Sequence, residues 1–119
     1  MNTRRCLSVL FLSLTVLAAA CAPATPTAPA QPFRIAVVMP SATTDAAFSQ
    51  SMFNALKAVQ AEMGGESALE LAYSEGMFNV PDAAAAIRDY ASQGVDLVIA
   101  HGSQYGASVQ EIAPDFPET

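Results

Sequence analysis

The side chains able to do chemistry are few, and their spacing forms no catalytic set. His101 is the single histidine of the chain. It has no cysteine or serine partner at nucleophile–base spacing and no second histidine for a metal. No Gly-rich dinucleotide loop follows an apolar run, and there is no Walker lysine. The acids are scattered as on solvated helix faces. This pattern argues against an enzyme and implies no cofactor and no metal. What remains suits the holding of a neutral polar small molecule, with hydroxyls for hydrogen bonds and rings for stacking. The candidates are Asp45, Phe48 and Ser49 in one place, and His101, Gly102 and Tyr105 in another. Most of them have a structural alternative. Asp45 stands where it could accept from a sugar or base, or cap the helix that follows. Phe48 could stack on a planar ring or join an apolar helical stripe. Gly102 suits a tight turn. His101 and Tyr105 suit a pocket or its rim, and lone histidines are often structural.

Positioning these residues requires elements that end beside them. Phe33 to Met39 is a near-continuous apolar run ended by Pro40, the pattern of a strand buried on both faces. After a polar loop, Phe48, Met52, Leu56, Val59 and Met63 recur at helical spacing, and Gly64-Gly65 stops the helix. Ala68 to Tyr73 alternates as a second strand. Pro81 and Asp82 suit a first helical turn, with Ala83, Ala84, Ile87, Tyr90 and Ala91 on one side and Gln93-Gly94 at the close. Val95 to Ala100 is a third strand. A weaker helix runs through Val109 and Ile112 to Pro114.

The alternation β-α-β-α-β-α with short loops predicts an α/β fold: a three-layer parallel sheet with right-handed crossovers. In such a sheet, ligands bind beyond the carboxyl ends of the strands. Met39 to Phe48, Ser74 to Val80 and Ala100 to Tyr105 are the loops at those ends, and they carry the candidate residues. The chain stops at Phe116-Pro117-Glu118-Thr119, where a fourth strand is expected. The body therefore reads as the front part of a larger domain, with a second lobe still to come.

The N-terminus describes an export route. Arg4 and Arg5 form a positive head, Leu7 to Leu17 an apolar run, and Ala18-Ala19-Ala20 a small-residue exit before Cys21. That is a secretory signal over residues 1–20, too short to span a membrane stably. Small residues directly before Cys21 point to lipidation of that cysteine, although Ala18 stands where leucine is usual. The same alanines also fit an ordinary cleavage that releases the protein. Residues 21–32, with Pro23, Pro26, Pro29 and Pro32, form an extended stalk. The expected location is the extracytoplasmic face of the cell membrane, held by lipid on Cys21. The body, residues 33–119, sets Arg34, Lys57 and Arg88 against all eleven acids of the chain. That balance excludes nucleic acid as a partner and electrostatic adhesion to anionic lipid.

Read in order, the body resembles the basic membrane protein family, PnrA-like solute receptors of ABC transporters. Thr44-Asp45-Ala46-Ala47-Phe48-Ser49-Gln50-Ser51 is similar to that family's Asn-Asp-Lys-Ser-Phe-Asn-Gln-Ser run. Asn54-Ala55-Leu56-Lys57 stands for its Glu-Gly-Leu-Lys, and Gly94-Val95-Asp96-Leu97-Val98-Ile99 for its Gly-Tyr-Asp-Leu-Ile-Ile. Ala113-Pro114-Asp115-Phe116-Pro117-Glu118-Thr119 matches its Ala-x-x-Tyr-Pro-x-Thr tail. The resemblance implies part of a type 1 periplasmic-binding lobe, a small-molecule solute, an ABC permease as partner, and Phe48 as a ring-stacking residue for a nucleoside-like ligand. Two family acids are replaced, one by Met39-Pro40 and one by Gly106-Ala107. A sugar receptor of the related fold, a lipid-anchored sensory domain and an exported α/β enzyme are the rival expectations.

Overall fold

A computed structural model describes residues 31–119; the expected export signal, Cys21 and most of the expected stalk lie outside them. The elements are β1 (Phe33–Val38), α1 (Phe48–Glu62), β2 (Leu69–Ser74), α2 (Val80–Ser92), β3 (Leu97–Ala100) and α3 (Gly106–Ile112). Single 3-10 turns, Ser103–Tyr105 and Ala113–Asp115, flank α3. The sheet has three strands in the order β2-β1-β3. Both pairings are parallel, with Phe33 opposite Leu69 and Ile35 opposite Leu97. The expected α/β class and parallel sheet are therefore present.

β1 is central, so its side chains are covered from both sides. Val37 and Met39 pack with Leu56 of α1, together with Met52, Phe53, Leu71 and Ile99. Val38 faces the other way, into Ala83, Ile87, Tyr105 and Ile112. α1 thus covers one face, and α2 and α3 cover the other. The strand order dictates this. The chain leaves β1 in one direction to reach β2 and returns across it to reach β3, so right-handed crossovers must use opposite faces. The near-continuous apolar run of β1 is the sequence signature of that double burial.

Two expectations are corrected. β3 begins at Leu97 rather than Val95, because the Asp96 side chain accepts from the Arg34 backbone N–H at 2.7 Å and occupies the approach to the ladder. The buried face of α1 is also turned from the expected stripe. Met52 and Leu56 pack inward as expected, but Phe48, Val59 and Met63 are exposed, while Ser49 and Gln60 are buried. Gln60 takes this place because its amide is satisfied: Nε2 donates to the Leu69 carbonyl at 2.8 Å, and Oε1 accepts from Lys57. A buried polar group whose hydrogen bonds are satisfied costs little.

Candidate functional site

The three strands all end at one rim, and the chain reverses its lateral direction between β1 and β3. In open parallel sheets the crevice at such a switch point is the natural ligand site. The loop after β1 and the corner after β3 meet there.

The β1–α1 loop is held by one carboxylate. Asp45 Oδ1 accepts from the backbone N–H groups of Ala47 at 2.9 Å and Gln50 at 3.1 Å. Its Oδ2 accepts from the Ser41 hydroxyl at 2.5 Å and the Ser49 N–H at 3.1 Å. Asp45 therefore fills the capping role, satisfying donors that the first turn of α1 would otherwise leave unpaired. The Ser41 hydroxyl, and after it the Ala47 N–H, stabilises the ionised form and holds the pKa down at about 2. Because Ser41 donates to Asp45, the Ser49 hydroxyl donates to Ser41 Oγ at 2.8 Å and accepts from the Ser41 N–H at 3.2 Å. Ala46 takes a left-handed φ of 58° inside this turn. A side chain with a Cβ pays roughly 1–2 kcal/mol for that conformation, and the surrounding hydrogen bonds offset it.

The β2–α2 loop is tied to the first. Gly76 N–H donates to the Ser41 carbonyl at 3.2 Å, and Met77 N–H to the Met39 carbonyl at 2.9 Å. Glu75 Oε2 accepts from the Thr43 N–H at 2.6 Å. That contact holds the Glu75 carboxyl below its usual range. Phe78 projects from this loop with 79% of its surface exposed.

The β3 corner supplies the third part. His101 N–H donates to the Val38 carbonyl at 2.9 Å, so the sheet fixes its backbone. Its imidazole stacks on the Phe48 ring with centroids 3.8 Å apart and planes 15° from parallel. Nε2 lies 3.2 Å from the Phe48 carbonyl oxygen, which can only accept, so Nε2 carries the proton. Phe48 remains 53% exposed despite this cover. Tyr105 is fully buried, donating its hydroxyl to the Met77 carbonyl at 2.7 Å; burial raises its phenol pKa. Gly102 is needed for close approach rather than for an unusual φ: an added Cβ would lie 2.7 Å from Tyr105 Cε2.

The six candidate residues thus divide. Phe48 and His101 come together on the open side of the rim. Asp45 has both oxygens engaged by Ser41 and the first turn of α1. Ser49 and Tyr105 are wholly buried and bonded within the chain. Ser49 follows Phe48 by one residue, a turn of about 100° around the helix, and so faces inward. Gly102 stands against the Tyr105 ring, where a Cβ would not fit. Phe78 stands outside the six candidate residues. Its signal was an aromatic in a strand-end loop with no periodic stripe to join. Among the described residues, no group of three or more His, Cys, Asp or Glu side chains could hold a metal, and no helix is long and apolar enough to cross a membrane.

The fold is thus a parallel α/β sheet with a stacked Phe48–His101 ring pair at its switch point. Residues 33–119 match the family described as Bmp, ABC transporter substrate-binding protein PnrA-like, and the chain belongs to that family. No curated protein matches the sequence. Among solved structures, an ABC transporter system solute-binding protein from Conexibacter woesei DSM 14684 is similar, with 24% identity and a TM-score of 0.64. The match covers 72% of this chain and 27% of that one, so the chain spans about a quarter of its length. At that identity the likeness shows the fold. The family is one of ABC transporter substrate-binding proteins.

Proposed function

We propose that this body is the first lobe of an extracytoplasmic, lipid-anchored receptor that delivers a nucleoside-like solute to an ABC permease. A second lobe would close over the rim and complete the pocket. The observation that carries the ligand class is the half-exposed Phe48 ring at the switch point, in a chain of a substrate-binding family. A ring that could have been buried in α1 is instead presented to solvent beside His101. Planar heteroaromatic ligands stack on such surfaces.

In this mechanism the residues bind and orient; none transfers a proton or a group. Asp45, Ser41 and Ser49 hold the loop that presents Phe48, and Tyr105 and Gly102 hold the corner that presents His101. The lipid on Cys21 would keep the receptor near its transporter, with the Pro-rich stalk as spacer.

Thermal-shift screening of the mature two-lobed protein against nucleosides and sugars tests the ligand class. A nucleoside at saturating concentration should raise Tm, since a ligand that binds only the folded state stabilises it. A shift with sugars alone would favour the sugar receptor of the same fold. Labelling with a radioactive fatty acid should mark the wild type and not Cys21→Ser; equal labelling would refute the anchor.

A further inference from the structure

We infer that His101 is a positioning residue that locks the Phe48 ring into a one-sided stacking platform. The inference rests on the nucleoside-like reading above and concerns how that ligand class is selected.

Phe48 is the first residue of α1, at the end of the helix where side chains are least confined by neighbours. Left alone, an exposed phenylalanine there would sample several rotamers, and ordering it would oppose ligand binding. Two contacts from His101 remove that freedom. The near-parallel stack at 3.8 Å fixes the ring plane. The bond from Nε2 to the Phe48 carbonyl, at 3.2 Å, ties the imidazole to the backbone of the residue it covers. His101 can do this because its own main chain is held by β1, through the Val38 carbonyl. The ring is therefore buttressed from the sheet, and not by the helix that carries it.

One face of Phe48 is consumed by the imidazole. The other is the surface left to a ligand, and a planar ligand there would form the third layer of a His101–Phe48–ligand stack. A flat, aromatic-sized ring is favoured over a puckered sugar, because only a flat ring meets a fixed plane over its whole area. This role differs from a direct contact: His101 acts on the ligand through Phe48.

The test uses the mature two-lobed protein with adenosine as probe, measured by titration calorimetry. Restricting one side chain beforehand is worth on the order of three- to tenfold in affinity. His101→Ala should weaken adenosine by that factor, and His101→Phe, which keeps a stacking ring, should restore binding to within about twofold. In a Phe48→Leu background, His101→Ala should have no further effect, because residues acting through one another are non-additive. An equal loss in that background would overturn the inference, and so would tighter binding by His101→Ala, which would mean that the imidazole blocks the face the ligand needs. Proton NMR without ligand provides a separate reading. The His101 ring protons should be shifted upfield by the Phe48 ring current and return in Phe48→Leu; no change between the two overturns the stack itself. Failure of wild-type protein to bind adenosine would instead overturn the nucleoside reading.

Discussion

The β1–α1 loop and the β3 corner lie side by side at one rim, yet they use their side chains differently. In the loop, Ser41, Asp45 and Ser49 bond to one another and to the first turn of α1. Their hydrogen-bonding capacity is spent inside the chain. Where the start of α1 meets the corner, Phe48 stacks on His101 with half its surface exposed, and a single bond joins the two residues. The difference teaches how a small lobe divides labour. Directional polar groups set the geometry of the rim, and a ring face is left open to solvent. A residue type that could contact a ligand is therefore a poor guide to whether its polar groups are free in the fold.

Substitutions can separate the two roles. The largest effect on folding is expected at Tyr105, which anchors the corner from the core. Tyr105→Ala should lower unfolding free energy by about 3–5 kcal/mol in chemical denaturation, while Tyr105→Phe should cost about 1 kcal/mol for the lost bond to Met77. Gly102→Ala should cost roughly 1–3 kcal/mol, because the new methyl meets a ring that its hydroxyl bond holds in place. A neutral result would show that the corner is looser than its contacts imply.

Phe48→Ala should do the reverse. Its exposed ring contributes little to the fold, so stability should stay within about 0.5 kcal/mol. Loss of stacking should weaken a planar ligand by roughly 1–3 kcal/mol in calorimetry. If folding and binding fell together, the proposed division would not hold.

Asp45 gives a pH signature. Its folded pKa of about 2 lies below the unfolded value of about 3.9. The stabilisation is therefore complete above about pH 4 and is lost as pH falls through about 2. Asp45→Asn should remove this loss, flattening that part of a stability–pH curve, with Glu75 contributing in the same direction in the wild type. The smallest effect belongs to Phe78. Phe78→Ser should leave stability within about 0.5 kcal/mol, and a larger loss would reveal packing that its 79% exposure does not suggest.

The sequence by itself determined the element order, the parallel sheet and the burial of β1. These follow from local patterns: an apolar run too continuous for a one-sided strand, helical spacing, and glycines and prolines at the boundaries. It also placed the candidate residues in strand-end loops, because connectivity alone puts those loops at one rim. Only the tertiary structure decided which candidates face outward. Ser49 and Phe48 are adjacent in the chain, and one is buried while the other is half exposed. That choice depends on the rotation of α1 against the sheet, which is set by partners far along the chain, among them the Leu69 carbonyl that satisfies Gln60. The Phe48–His101 stack joins residues 53 positions apart. No periodicity or motif spacing encodes such a pair; it exists because β1 and β3 are neighbours in the sheet.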